Sequence, residues 1–236
     1  MNQILDAHIH SVFSDGKLEI KEIAKIAKQK GYKVGISDHA GTAGTMSPLN
    51  NEVKITNYLS FLNNYNVYKS LELNINEEFP LSKKILDSLD YRIGGVHFEG
   101  ETLVGITGIT TADPESFIKK IISLILKAIE EEKIDILSHP TCLPNSIKKN
   151  AMEFFNEKRS TRIIEAAIEH NVALEINNLF EVPHQTFLQK ALEMGATFSF
   201  GSDGHRKEAV CDLSYPLKMA EKLGIPDKQI FKLKER

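Results

Sequence analysis

Seven short apolar runs, at residues 4–9, 34–37, 67–75, 91–96, 134–137, 172–176 and 197–200, alternate along this chain with longer amphipathic stretches. No other feature constrains its fold as strongly. Short apolar runs bounded by turn formers read as buried strands, and apolar residues recurring at i, i+3, i+4 and i+7 read as one face of a helix. Ile20, Ile23, Ala24 and Ala27 keep that helical period, as do Ile55, Tyr58, Leu59 and Leu62. Ile118, Ile121, Ile122, Ile125 and Ile129 extend one face over three turns, and Phe187, Leu188, Ala191 and Leu192 mark another. Asp113-Pro114 places a good N-cap before a proline at the first helical position, while Gly31 and Gly195 sit where helices should stop. The connection over 141–171 is longer and predicts an irregular lead-in to a helix starting near Ser160; residues 217–223 close the helical set.

Such an alternation, with no break in composition, predicts one α/β domain over residues 1–236 with a parallel sheet. Right-handed crossovers leave two solutions, an open doubly wound sheet and a closed barrel. The tail over 224–236, with Lys228, Lys232, Lys234 and Arg236, reads as a short helical appendage with a solvated charged face.

Charge and cysteine content narrow the function classes. Twenty-nine basic residues against thirty-two acidic ones leave a net charge of -3, so neither nucleic acid nor an anionic membrane is the expected partner. The most apolar run, 121–126, ends at Lys127, far short of the roughly 20 residues that span a bilayer. Cys142 and Cys211 form no CxxC pair and are too few for a disulfide framework, which predicts a reducing, cytoplasmic setting. The N-terminus has no basic lead and no apolar run of signal-peptide length.

The chemistry is carried by histidine. Six of the eight histidines fall at the C-terminal ends of five predicted strands: His8 and His10, His39, His97, His139, and His205. In a closed parallel barrel those ends converge on one pocket. Residues i and i+2 of a strand face the same side, so His8 and His10 can bind one ion together. Clustered imidazoles carry a desolvation cost unless something uses them, and imidazole with carboxylate is the common ligand mix for Zn, Mn and Fe. His170 and His184 lie elsewhere; His170 reads as a helix C-terminal residue and His184 as an exposed one.

These residues resemble the polymerase and histidinol phosphatase (PHP) superfamily. The motifs are His8-x-His10 with Ser14-Asp15-Gly16, Ser37-Asp38-His39, Ser138-His139-Pro140 and Gly201-Ser202-Asp203-Gly204-His205, with Glu72 and His97 at intermediate positions. The resemblance implies a distorted (β/α)7, TIM-like barrel holding three divalent metal ions (Zn, Mn or Fe). One ion takes His8, His10, Glu72 and Asp203; a second shares Glu72 and adds His97 and His139; the third takes Asp15, His39 and His205. Asp38 is then expected to orient a ligand imidazole.

Asp15, Glu72 and Asp203 bring three negative charges against six from three divalent ions, and the residual positive charge suits a phosphate ester. A metal-bridging hydroxide is the expected nucleophile. Asp203 or a neighbouring histidine, His205 among them, is the candidate for proton transfer, and Arg206 is either a phosphate clamp or an ordinary surface arginine. Glu175 and Asn177 either line the pocket or satisfy it, Cys142 reads as a small buried hydrophobe, and residues 101–112 are either a lid or an ordinary loop.

The leading expectation is a metal-dependent phosphatase acting on a small phosphorylated substrate, with Gly94-Gly95-Val96-His97-Phe98 and Ser202-Asp203-Gly204-His205-Arg206 resembling the histidinol-phosphatase branch. One stretch departs: that branch tends to carry an arginine soon after Glu-x-Asn, and here the residues are Asn178-Leu179-Phe180-Glu181. A nuclease or nucleotide phosphodiesterase ranks second, because no basic groove with interleaved aromatics is evident. A noncatalytic metal-binding regulatory domain ranks third, since none of the nine ligand positions is missing. G-x-S-x-G, P-loop and dinucleotide fingerprints are absent from the sequence.

Overall fold

The computed structural model describes residues 4–41, 49–75, 81–99, 102–105, 113–131 and 134–233. The elements run β1 (Leu5–Asp6), α1 (Ile20–Lys30), β2 (Lys33–Ile36), β3 (His39–Ala40), α2 (Glu52–Leu62), β4 (Tyr68–Lys69), β5 (Glu72–Asn74), α3 (Lys83–Leu86), β6 (Ile93–Gly95), β7 (Phe98–Glu99) and β8 (Thr102–Leu103). They continue with α4 (Pro114–Glu131), β9 (Ile136–Leu137), α5 (Ala151–Phe154), α6 (Glu157–Glu169), β10 (Ala173–Asn177), α7 (Gln185–Met194), β11 (Phe198–Gly201) and α8 (Ser214–Leu223).

The strands pair in the orders β1-β2-β4 and β11-β10-β9-β6-β5-β3, all parallel, with β7 and β8 as a separate antiparallel pair. The run expected as one strand over 67–75 is divided at Ser70-Leu71, opposite the break at Ser37-Asp38. Ser70 N–H to Ile36 O (2.9 Å) and Glu72 N–H to Asp38 O (3.2 Å) carry the pairing across both breaks. Ala7 N–H to Phe200 O (2.9 Å) and Asp203 N–H to His8 O (2.8 Å) join the β1 segment to the β11 segment. The order is that of a TIM-like parallel barrel with seven strand positions, in which the last lies against the first.

Local sequence explains the helices. Asp113 Oδ1 accepts the Ser116 N–H at 3.1 Å, the N-cap expected before Pro114. Gly31 (φ 74°) and Gly195 (φ 91°) end α1 and α7 in the left-handed region, where a Cβ is strained. The isoleucine face of α4 is buried from Ile118 to Ile129, and with α6 and α7 it packs against the strands in the largest core cluster. None of the described helices is long and apolar enough to cross a membrane.

Two expectations shift. α6 begins at Glu157 rather than near Ser160, because the Asn156 side chain accepts the Arg159 N–H and starts the helix one turn earlier. The tail holds only a single 3-10 turn at Asp227–Gln229 among its described residues. Those residues pack back on the domain: Phe231 N–H donates to Phe198 O at 2.7 Å, and Phe231 and Leu233 pack with Tyr91 and Ala7 in an apolar cluster, while Lys228 and Lys232 are exposed as expected. Of the stretch 101–112, only 102–105 lie within the described residues.

Candidate metal centre

Every strand position but one brings its C-terminal end to the same place with a candidate ligand on it. Glu72, the first residue of β5 and 1% exposed, stands in the middle. Its Oε2 faces His8 Nε2 at 3.1 Å, His10 Nε2 at 3.4 Å and His39 Nδ1 at 3.2 Å. Its Oε1 faces His97 Nε2 at 3.1 Å and His139 Nε2 at 3.2 Å, and also accepts the Ser138 hydroxyl at 2.8 Å. Asp203 Oδ1 lies 3.3 Å from His10 Nε2 and 3.7 Å from His8 Nε2. Asp15 Oδ1 faces His205 Nε2 at 3.2 Å and His39 Nε2 at 3.8 Å.

All nine residues named from the sequence therefore meet in one pocket. Ligand atoms close enough to share an ion, within 4.8 Å of one another, form three groups: His8, His10 and Glu72; His39, Glu72 and His97; and His10, Asp15, His39 and His205. His39 stands between the second and third groups, with one ring nitrogen toward Glu72 and the other toward Asp15, rather than serving the third alone.

The donor set fits divalent cations. His8 and His10 aim their Nε2 atoms at each other from 3.0 Å while both face the same carboxylate oxygen, an arrangement that wants a shared positive charge between them. Among the described residues, His97 Nδ1 and Asp15 Oδ1 are buried and make no hydrogen bond, Asp15 Oδ1 even though His205 Nε2 lies 3.2 Å away. Buried polar atoms are normally paired, so such orphans inside a ring of imidazoles suit a bound cation. His139 (φ 31°) and Asp203 (φ 52°) also hold strained left-handed backbone, which recurs where side chains must be aimed at a functional centre.

The electrostatics of the pocket point the same way. Burial opposes charge on His8, yet Glu72, Glu175 and Asp203 outweigh it and hold its pKa well above the ordinary value. His10 is likewise held up at about 10, against burial, by hydrogen bonds to Asp203 and Glu72. Burial would raise Glu72 and Asp203, but the facing imidazoles, His8 foremost, hold both carboxyls well below their usual range. His39, buried and next to the His10 charge, is pushed down to about 3. Without metal the pocket gathers protons onto some imidazoles and bars them from others.

A PHP domain model matches residues 6–179. The chain belongs to the PHP family. Among curated proteins it is similar to the DNA polymerase/3'-5' exonuclease PolX of Bacillus subtilis, with 28% identity over 228 residues; these are 92% of this chain but 37% of that protein. It is also similar to a probable phosphatase of Shewanella piezotolerans, with 24% identity over 96% of this chain and 87% of the relative. A probable phosphatase of Caldanaerobacter subterraneus shares 25% identity over 96% of the chain and 86% of its own length.

Around the centre of this PHP domain, several residues take places the sequence did not assign. Asp38 touches no imidazole: its carboxylate accepts the Ser11 N–H (2.7 Å), the Ser11 hydroxyl (2.6 Å) and the Ser14 hydroxyl, and only Ser14 Oγ reaches His10 Nδ1, at 3.4 Å. It fixes the turn after β1 rather than a ligand directly. Glu175 takes the orienting role instead, with Oε1 at 2.7 Å from His8 Nδ1. His184 is half-buried rather than exposed, and its Nδ1 accepts the Phe187 N–H at 3.3 Å as the N-cap of α7. His170 does end α6, as expected.

The Arg206 side chain is exposed and makes no hydrogen bond or ion pair among the described residues. In the stretch after Glu175-x-Asn177, Phe180 sets its ring edge-on to His139, 5.7 Å between centroids, and a Cβ at Gly105 would meet both Phe180 and Cys142. Cys142 is buried, its thiol pushed up to about 12, in keeping with a small hydrophobe. One carboxylate escaped notice. Asp6 accepts the Ser202 N–H (2.9 Å) and the His8 N–H (3.3 Å), and burial raises its pKa to about 6. The Asp-x-His spacing of Asp6 and His8 was its only signal.

Proposed function

We propose that this pocket holds three divalent metal ions and hydrolyses a small phosphate monoester. The chain is a metal-dependent phosphoesterase: PHP membership, relatives named probable phosphatase and the imidazole–carboxylate clusters all support that reading. The observation that carries it is Glu72, whose two oxygens are faced by five imidazoles from four other strand positions. Divalent ions bound there supply charge for the phosphate oxygens and acidify a water as nucleophile.

The chain's own residues do the rest. Glu72, with Oε2 toward His8 and His10 and Oε1 toward His97 and His139, would be shared by the first two positions. His205 places Nδ1 at 2.8 Å from the Asp203 carbonyl, so its Nδ1–H is held and its Nε2 lone pair turns toward Asp15, which favours a ligand role over proton transfer. Asp203 Oδ1, within reach of His8, His10 and His205, is the better proton carrier. Arg206, next to His205 and with a side chain that makes no hydrogen bond or ion pair among the described residues, is the proposed phosphate clamp. Histidinol phosphate is the first substrate to test, although the stretch Asn178-Leu179-Phe180-Glu181 after Glu175-x-Asn177 lacks the arginine that branch tends to carry. A cytoplasmic setting suits the two free thiols, Cys142 and Cys211.

PolX, named as an exonuclease, supports the second reading, a phosphodiesterase or nuclease. One panel separates the two: phosphate monoesters including histidinol phosphate, bis(p-nitrophenyl) phosphate and a short oligonucleotide, each with Mn, Zn and Fe. Preference for a monoester is expected. Hydrolysis of the diester or oligonucleotide ahead of every monoester would establish the second reading, and no turnover with any metal would refute both.

A further inference from the structure

Glu175 is a carboxylate that no ligand assignment uses, yet it lies 1% exposed within β10 with each oxygen committed. Oε1 is 2.7 Å from His8 Nδ1. Oε2 accepts the backbone N–H of His139 at 2.7 Å and the side-chain amide of Asn177 at 3.0 Å, and that amide also reaches Asp203 Oδ2 at 3.1 Å. One side chain thus touches a ligand of the first position (His8) and a ligand of the second (His139), and through Asn177 it reaches Asp203.

The contacts are not incidental. β10 and β11 run in parallel register with Asn177 opposite Gly201, and a Cβ at Gly201 would fall 1.9 Å from Glu175 Oε1 and 2.8 Å from His8 Cβ. The neighbouring strand leaves room for this carboxylate alone. Its bond to the His139 amide anchors a residue at φ 31°, a strained conformation that relaxes unless it is held. Its contact with His8 is to Nδ1, which leaves Nε2, facing Glu72 and Asp203, as the nitrogen available to ligate.

We propose that Glu175 is a positioning residue that makes occupation of the first and second metal positions interdependent. Glu72 joins the two positions in front, and Glu175 braces one ligand of each from behind, so an ion that fixes His8 also fixes the carboxylate that fixes His139. The third position is faced by Asp15 and His205, neither of which Glu175 touches. This inference rests on the metal reading above.

The test titrates Mn2+ into metal-stripped wild-type protein, Glu175→Gln and Asp15→Asn by calorimetry, and measures retained metal after dialysis. Gln keeps the volume but presents an N–H to one partner that needs an acceptor. Glu175→Gln should weaken two positions together by about 10- to 100-fold, the usual effect of removing a group that orients a ligand. Asp15→Asn should weaken one. The His8 imidazole 15N signals of metal-free protein should show a protonated Nδ1 in the wild type and lose that preference in Glu175→Gln, a change that a purely structural role does not produce. If Glu175→Gln keeps both ions at wild-type affinity, or loses only one, the coupling is wrong. Should Glu175→Gln fail to fold, the wild-type isotherm decides: two ions entering as a cooperative pair support the coupling, and independent stepwise entry overturns it. Wild-type protein that binds no ion at all refutes the metal reading itself.

Discussion

Replacing Glu72 by Gln should destabilise the metal-free protein more than any other single change in the pocket, and the effect should depend on pH with a definite sign. Each charged imidazole within 3.1–3.4 Å of a Glu72 oxygen gains about 5 kcal/mol at an effective dielectric of about 20. Desolvation of the buried carboxylate cancels part of that gain. Breaking one buried pair typically costs about 3–5 kcal/mol, which is the loss expected near pH 6. Glu72 is depressed below 4.5, so its contribution is present above that pH and is lost as pH falls. His8 and His10 are raised above 6.5, so theirs is full below 6.5 and is lost as pH rises, through about 10 for His10. The gap between wild type and variant is therefore widest from 4.5 to 6.5 and narrows toward pH 10. Urea unfolding of metal-stripped protein at pH 6 and pH 10 measures it. A gap below about 0.5 kcal/mol at pH 6, the size of an ordinary surface substitution, refutes the electrostatic account, as does one that is unchanged at pH 10.

Four further outcomes follow from the same contacts. Loading the first ion at pH 7 should release at least one proton, because the His8 and His10 pair is held charged and must surrender its shared proton to ligate; calorimetry in buffers of different ionisation enthalpy reads the number, and zero contradicts it. Cys142 and Cys211, both buried with pKa near 12, should resist iodoacetamide at pH 8 until the protein is unfolded, and fast native labelling of either would overturn their placement. Ile121→Ala should cost about 2–5 kcal/mol in denaturant unfolding, since the side chain is buried in the face that seats α4 on the sheet. His184→Ala removes the acceptor that caps α7 and should cost about 1 kcal/mol, whereas His184→Asn should restore most of it.

What could be read from the sequence is what repeats locally. Burial imposes a period on each helix face, so Ile118 to Ile129 announced α4, and Gly31 and Gly195 announced stops because only a residue without Cβ takes that backbone without strain. His8-x-His10 was legible for the same reason, since alternation on a strand puts both rings on one side. What escaped was set by register between distant strands. Glu175 and His8 are 167 residues apart, and the tail returns past α8 to meet β11, Phe231 against Phe198. Asp38 illustrates the same limit from the other side: its place beside His39 predicted an imidazole partner, but the strand breaks at Ser37-Asp38 and turns its carboxylate to the loop after β1.

A carboxylate that ligates a cation and one that braces a ligand carry the same signal in a sequence, an acidic residue on the inward face of a strand. Glu72 and Glu175 even share the context Leu-Glu-x-Asn. Only geometry separates them: the Glu72 oxygens meet ring nitrogens alone and one hydroxyl, leaving lone pairs toward the pocket, while those of Glu175 are consumed by a ring nitrogen, a backbone N–H and an amide. Charge counted from the sequence alone therefore placed three carboxylates at this centre, where the fold supplies a fourth whose lone pairs are already spent on holding the ligands in place.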